Sequence, residues 1–304
     1  MISSRILSLT LAPHPHPAPL PSILAHARFA RRYKLRSGAG YYFADLVEAV
    51  SDLDPEVRVR FTSPHPKDFP DDLLYLVRDR TNVCNQLHMP AQSGSTAVLD
   101  AMRRGYSRDA YLELIEHVRG IIPGVALSSD FISGFCGETE QDHKDTLSLI
   151  EQVEFDQAFM FAYSMRGKTH AHRKMTDDVA QSVKARRLQE VIETFRVGVQ
   201  AKNEREELGE LRVIMSEGES RRSGRGGRGV QLTGKTCEGK RLVFDVEGKD
   251  VLKEGEYGVV RVTQVRGHTL VGDFVEATTL AEQSRQQQRV TATADKAEQG
   301  EVKL

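Results

Sequence analysis

The feature that most constrains this chain is a change of hydrophobic period along its length. From Tyr42 to about Tyr163, short apolar runs alternate with helical faces, and each run ends in a small polar or glycine-bearing loop. Tyr42, Phe43, Leu46, Val47 and Val50 recur at helical spacing before Pro55, after which Val57, Val59 and Phe61 alternate as a short strand. Leu73, Leu74 and Val77 mark the next helix and 83–89 a strand, and Val98, Leu99 and Met102 predict a helix after the turn QSGS at 92–95. Ser107 is placed as an N-cap with Tyr106 and Tyr111 as its hydrophobic staple, and Gly120 is expected to end that helix. A strand over 125–135, a helix capped by Thr139 and a nearly all-apolar strand over 155–163 complete the series, the last reading as buried on both faces. This alternation specifies an α/β unit over 41–176. Its loops at 63–66, 90–95, 134–138 and 163–166 are expected to converge at the carboxyl ends of parallel strands, where such folds bind ligands.

The pattern then changes. Val179, Val183, Leu188, Val191, Ile192, Phe195 and Val199 line one face of a long helix within 177–206, whose charged opposite face suits a solvated connector. Beyond it, apolar runs at 211–215, 230–232, 241–246, 257–264 and 269–274 are short, evenly spaced and separated by glycine-rich turns, which predicts a small closed all-β barrel over 207–278. Residues 1–40 contain no acid and break into PHPHPAPLP. They read either as a mitochondrial targeting segment or as an unselected leader, so the location is mitochondrial on the first reading and cytoplasmic on the second. The tail, 279–304, lacks apolar periodicity and is expected to be disordered.

Charge sharpens the functional reading. Lys and Arg total 42 against 43 Asp and Glu, but residues 1–44 hold basic groups only, so the body of the chain is acidic and is not a generic polyanion binder. Within that body Arg221, Arg222, Arg225 and Arg228 sit among glycines between Ser220 and Gly229, with Lys235, Lys240 and Arg241 close behind. Guanidinium forks on bare backbone suit phosphate oxygens, so this loop reads as an RNA contact. A flexible solvated hairpin tip is the alternative. No apolar run is long enough for a membrane span. Cys84, Cys136 and Cys237 stand far apart with no CxxC and no Cys/His pair at ligand spacing, which excludes a disulfide framework, a zinc knuckle and a self-contained iron–sulfur site as sequence readings. Cys84 reads as a small buried residue, Cys136 as the better placed for reactivity though more simply structural, and Cys237 as inert. His65 and His88 show no partner in the sequence.

Four motifs, QLHMPAQSGS (86–95), MRRGYSR (102–108), DFISGFCGETE (130–140) and FAYSMR (161–166), occur in an order and spacing that resembles the second half of the MiaB-type tRNA methylthiotransferases, which are radical S-adenosylmethionine enzymes. The terminal barrel is similar to their TRAM RNA-binding domain, and the resemblance covers about residues 41–280. Cys136, where many of that family have proline, brings the chain nearer the animal mitochondrial branch. The resemblance implies a partial radical-SAM (β/α) barrel followed by an OB-like TRAM barrel, and methylthiolation of isopentenyladenosine beside a tRNA anticodon. It further implies S-adenosylmethionine and 4Fe-4S clusters in the full-length family. It carries cofactor contacts over to Gln92, Ser93, Ser95, Asp130, Gly134, Gly137, Glu138, Tyr163 and Arg166, and tRNA contacts to Arg221, Arg222, Arg225, Arg228 and Lys235. Both cysteine triads of the family lie in its first half, and no CxxxCxxC occurs here. The expectation is therefore a chain with no cluster, no metal site and no catalytic residue of its own, inactive alone and with weakened cofactor affinity. Either the recorded start omits the catalytic half, or the chain is a short isoform acting as an RNA-binding or kinase-regulatory module; the family's history suggests a kinase regulatory subunit as partner, and no motif encodes one.

Overall fold

The computed structural model describes residues 42–62, 70–221, 223, 230–246 and 251–285. Three parallel strands, β1 (Gln86–His88), β2 (Ala126–Ser133) and β3 (Gln157–Ala162), form a sheet in the order β1-β2-β3. Helices α1 (Phe43–Ser51) and α2 (Asp71–Asp79) precede it, α3 (Thr96–Ala101) and α4 (Arg108–Ile121) connect β1 to β2, and α5 (Glu140–Val153) connects β2 to β3. The short α6 (His170–Lys174) and the 26-residue α7 (Gln181–Glu206) follow. Strand periodicity divides the side chains between two faces. Leu87, Leu127, Phe131, Ala158 and Met160 pack with Tyr111, Ile115, Val118, Ile150, Val153 and Phe195 in the core. The alternate positions, Gln86 and His88, Ser128 and Asp130, and Phe159 and Phe161, occupy the opposite, inner face.

Helix starts follow local chemistry. The Ser107 hydroxyl accepts the Ala110 N–H at 3.2 Å, and the Tyr106 and Tyr111 rings stack across the cap with centroids 6.2 Å apart. Thr139 and Asp142 form a reciprocal capping box at the start of α5.

Five expectations are corrected. Only Val59 of the 57–61 run pairs with the sheet, as an isolated bridge to Val83. The intervening Arg58 and Arg60 bind backbone carbonyls of the distant 211–246 segment instead, so the run is held by guanidinium contacts rather than by a strand neighbour. Gly120 does not end α4, because the buried Val118 and Ile122 carry the helix on to Ile121; the left-handed turn falls at Gly124 (φ 73°). β3 is an edge strand whose apolar composition is not fully buried. Phe159 and Phe161 are 44% and 55% exposed, since no described residue covers the inner face there. The polar stripe of α7 is no solvated connector: Lys184, Arg187 and Lys202 are buried beside Val191, Phe195 and Val199, each paired with a carboxylate. Finally, the tail's first residues are ordered. Residues 280–285 are helical, Leu280 is buried, and the Leu280 and Ala281 N–H groups donate to the Glu56 carboxylate, which satisfies the free donors of a helix start.

The second unit is a closed five-stranded barrel. β4 (Leu211–Glu219), β5 (Val230–Thr236), β6 (Arg241–Val246), β7 (Tyr257–Arg266) and β8 (Thr269–Thr278) close in the order β4-β5-β6-β8-β7, with β6 and β8 parallel and the other pairs antiparallel. Ile214, Leu242, Phe244, Val260 and Leu270 fill it. Two edges of the molecule are set by where this barrel docks. A cleft of about 400 Å³ is lined by Gln86, Ala126 and Gln157, at the amino ends of the three parallel strands, and by Lys235, Glu238, Lys240 and Arg241 of the barrel. The carboxyl ends of the strands lie at the other end of the sheet.

Candidate functional site

The inner face of the sheet carries the polar groups. His88 Nδ1 lies 3.0 Å from the Ser128 hydroxyl, its register partner, and His88 Nε2 lies 3.5 Å from Asp130 Oδ2. The Phe159 ring meets the His88 imidazole edge-on at 6.0 Å. Asp130 thus has the partner a carboxylate at this depth requires, and His88, which showed none in the sequence, is held between a hydroxyl and an acid. A small cavity of about 200 Å³ lined by Arg60, Phe61, Thr62, Gln86 and His88 opens on the same face. The signal for this cluster was present as polar residues at every second position of apolar strands, at 86 and 88 and at 128 and 130; only the register shows that they face one another.

At the carboxyl edge, the loops after β1, β2 and β3 meet. Gln92 is buried yet left-handed (φ 69°), held there because its N–H donates to Asp130 O at 2.8 Å while its own carbonyl accepts from Ile132 N–H at 2.9 Å. Its side-chain amide makes no hydrogen bond among the described residues. Ser93 and Ser95 are engaged internally: Ser93 meets the Thr146 hydroxyl, and Ser95 caps α3 and donates to Asp142 at 2.5 Å. Gly94 has to be glycine, because a Cβ there would overlap the Asp145 backbone of α5.

The loop after β2 is built on two left-handed glycines, Gly134 (φ 78°) and Gly137 (φ 77°). Gly134 N–H donates to Glu138 Oε1 at 2.9 Å, and Gly137 N–H donates to Asp178 at 2.7 Å. Arg187 grips Glu138 through its carboxylate at 3.0 Å and its carbonyl at 2.9 Å, with both side chains almost fully buried. Burial pushes the Glu138 carboxyl above the ordinary range, against the opposing pull of the Gly134 N–H and the guanidinium. Tyr163 packs edge-on against Phe135 at 4.8 Å with the Lys184 ammonium 5.2 Å above its ring. Burial, a hydrogen bond to Cys136 and nearby negative charge push its hydroxyl up to about 12. Arg166 is exposed beyond it. The edge therefore gathers Gln92, Asp130, Gly134, Gly137, Glu138 and Tyr163, with Ser93, Ser95 and Glu138 already bonded to protein.

The barrel contributes a different surface. A groove of about 630 Å³ runs over β6 and β8, lined by Arg221, Arg241 and Arg266 together with Asp245 and Asp273. Lys235 pairs with Glu217 at 3.2 Å on another part of the barrel, and Arg222, Arg225 and Arg228 lie outside the described residues. Arg266, a full barrel strand away in sequence, was not singled out from the sequence. Closure of the barrel brings it to Arg221 and Arg241. Among the described residues no aromatic side chain lines the groove.

The cysteines separate into two places. Cys136 is buried under the loop after β3 with Val98, Phe135 and Ala171. Cys84 and Cys237 meet at the opposite end of the sheet, where Asn85 N–H donates to Cys237 Sγ at 3.2 Å. Cys237 is therefore not the isolated residue its sequence position suggested.

The sheet, with its polar inner face and glycine-built carboxyl-edge loops, is that of an α/β protein, and residues 29–150 match the Radical SAM superfamily. The chain is thus similar to that superfamily over those residues, and over most of its length to tRNA methylthiotransferases. It is 47% identical over 265 residues to the mitochondrial tRNA methylthiotransferase CDK5RAP1 of Homo sapiens (84% of this chain, 43% of that protein). It is 51% identical over 251 residues to a CDK5RAP1-like protein of Oryza sativa subsp. japonica (80% and 41%). It is 48% identical over 207 residues to the tRNA-2-methylthio-N(6)-dimethylallyladenosine synthase of Prosthecochloris aestuarii (68% and 46%). The chain spans less than half the length of these relatives. The solved coproporphyrinogen III oxidase (HemN) of Escherichia coli, a radical SAM enzyme, aligns over 74% of this chain and 52% of that one with a TM-score of 0.44 and 17% identity.

The Radical SAM match implies S-adenosylmethionine and a 4Fe-4S cluster in the full-length family. A cluster of this kind takes three converging thiolates. The three cysteines here do not fit it, since Cys136 sits at the carboxyl edge and Cys84 with Cys237 at the amino end, and no group of three or more potential metal ligands occurs among the described residues. At the carboxyl end of β2 the Ser133 hydroxyl is buried without a partner among the described residues, and Gln92 holds a backbone conformation that costs energy. Among the described residues no helix is long and apolar enough to cross a membrane.

Proposed function

We propose that this chain forms the substrate-facing part of a mitochondrial radical SAM tRNA methylthiotransferase. In this reading the carboxyl edge receives S-adenosylmethionine, the inner face receives the modified adenosine, and the barrel is a TRAM-type, OB-like module that holds the tRNA backbone. The observation that carries it is Gln92, a buried, left-handed, non-glycine residue at the meeting point of three loops, in a chain 47% identical to a named tRNA methylthiotransferase. S-adenosylmethionine, when bound, supplies the radical and methyl chemistry; this chain's own residues bind and orient. Gln92 and the Gly134–Glu138 loop frame the nucleoside. Exposed Phe159 and Phe161 offer flat apolar surface for a base, and the Asp130 carboxylate, 3.5 Å from His88 Nε2, presents an acceptor beside them.

The edge and the barrel lie at opposite ends of the sheet. β2 has eight residues, so an RNA touching both must span roughly 25 Å. A folded tRNA reaches that far, whereas a short single strand would engage one end only.

Two measurements test the reading. Gln92→Gly keeps the left-handed backbone and removes the amide. It is expected to abolish S-adenosylhomocysteine binding by calorimetry while leaving urea unfolding unchanged; retained binding overturns the edge assignment. Replacing Arg241 and Arg266 together with Ala is expected to weaken tRNA binding about tenfold in fluorescence anisotropy at low salt and to reduce the salt slope by about two. An unchanged slope removes the groove from the RNA surface.

A further inference from the structure

We propose that Cys84 and Cys237 are a peroxide-sensitive dithiol whose oxidation to a disulfide locks the barrel onto the amino end of the parallel sheet. Cys84 follows the Val83 bridge and is fully buried, whereas Cys237 sits at the tip of the β5–β6 hairpin and is partly exposed. Asn85, the residue after Cys84, donates its N–H to Cys237 Sγ at 3.2 Å, so the hairpin tip brings the Cys237 sulfur to the backbone beside Cys84 across the contact between the units. The hairpin tip is also fixed in place. Arg60 donates to Thr236 O at 2.5 Å and to Cys237 O at 3.2 Å, Arg58 donates to Lys235 O at 2.9 Å, and Gly239 lies against the Gln86 side chain.

The surroundings distinguish the roles of the two sulfurs. Asn85 N–H donates to Cys237 Sγ at 3.2 Å; the neighbouring Cys84 thiol, that N–H and the Arg58 guanidinium favour the Cys237 thiolate, while burial and Glu238 oppose it. The balance favours its thiolate and brings it down to about 7. The neighbouring Cys237 sulfur and burial hold Cys84 protonated, although Arg60 and Arg58 pull the other way. Cys237 is thus the accessible nucleophile and Cys84 the resolving thiol. The Cys237 thiolate attacks hydrogen peroxide, the O–O bond breaks, and the departing hydroxide takes a proton to become water, leaving a sulfenic acid at Cys237. The Cys84 sulfur then attacks that sulfur; its proton leaves with the hydroxyl as a second water, and the S–S bond forms. Two thiols are oxidised and one peroxide is reduced. A thiol reductant reverses the change.

The test uses the full 304-residue protein and peptide mass mapping without reductant after exposure to hydrogen peroxide. The expected product is one cross-linked peptide pair joining Cys84 and Cys237, lost on treatment with dithiothreitol, with Cys136 still open to alkylation after denaturation. At neutral pH, iodoacetamide is expected to alkylate Cys237 at least roughly tenfold faster than Cys84. In Cys84→Ser, peroxide is expected to leave Cys237 as a dimedone-reactive sulfenic acid with no cross-link. Cys136→Ser is expected to retain the link, which keeps the test intact should the first variant fold poorly. Alkylation of both Cys84 and Cys237 in full after peroxide, or a link that runs through Cys136, overturns the proposal.

Discussion

Replacing Lys240 with Met is expected to lower the urea-unfolding free energy by about 3 kcal/mol, among the largest single effects in the molecule. The ammonium is buried where the barrel meets the sheet unit and contacts three acceptors: Glu207 at 2.7 Å, Asn203 at 2.8 Å and Asp156 at 3.1 Å. Its side chain is 7% exposed, against 6% for Asp156 and 4% for Glu207, so solvent screens these pairs little. Removing one partner from a buried ionic group generally costs about 3–5 kcal/mol because a desolvated charge remains. The lower end applies here. Asp156 keeps Lys202 at 2.8 Å and Glu207 keeps Arg212 at 2.6 Å, so neither carboxylate is stranded. The pH dependence follows with a definite sign. Burial draws the Lys240 ammonium down, but Asp156 and Glu207 outweigh it and hold it above the usual lysine range. A cation whose folded-state value is raised contributes fully below its unfolded value of about 10.4 and loses that contribution as pH climbs through the folded value. The difference between wild type and Lys240→Met is therefore expected to be flat through neutral pH and to shrink only in strong alkali. A difference that shrinks between about pH 8 and about pH 6, where the carboxylates stay ionised, would refute this assignment.

The second large effect is expected at the opposite end of the sheet. Arg187→Met leaves Glu138 buried with the Gly134 N–H as its remaining described donor, and is expected to cost about 4 kcal/mol. Among the described residues His143 exerts only the weakest of the pulls on the Glu138 carboxylate and does not replace the guanidinium, which places this variant above Lys240→Met. Burial already raises the Glu138 carboxyl, and loss of Arg187 raises it further. An acid with a raised folded value destabilises as pH rises through that value. The penalty is thus expected to be smaller near about pH 5 than near about pH 8. Adding Glu138→Gln to Arg187→Met removes the stranded charge and is expected to recover part of the loss. A double variant no more stable than the single one would show that Arg187 acts through Glu140 or through packing alone. Because the Glu138 loop frames the proposed cofactor edge, S-adenosylhomocysteine binding is expected to fall with the single variant and return partly with the double.

Much of the architecture is legible in local patterns. The Ser107 and Thr139 caps depend on a hydroxyl within three residues of the amides it accepts from, so neighbours in sequence suffice. The barrel strands show as short runs between turn glycines, and their number is correct because each run needs only its own alternation. The errors share one cause. Whether Phe159 is covered, whether Lys184, Arg187 and Lys202 find carboxylates, and whether 280–285 dock on Glu56 all depend on residues far away in the chain. A lysine on a helix reads as solvent-facing until a partner such as Asp156 is brought to it by a separate strand. The site shows the same split. The glycines of the 134–138 loop were visible as turn residues, whereas the bond between Gly134 and Glu138 and the grip of Arg187 on it were not.

By itself, then, the order of residues determined the kinds of element present, their sequence along the chain, the resemblance to tRNA methylthiotransferases and the want of a cysteine triad, because each of these is a property of neighbours or of motif spacing. Only the tertiary structure decided that His88 faces Ser128 and Asp130, that Arg266 joins Arg221 and Arg241, and that the Cys237 sulfur reaches the backbone beside Cys84. Those meetings follow from strand register and from the docking of one unit on another, which sum many weak long-range contacts that no local stretch encodes.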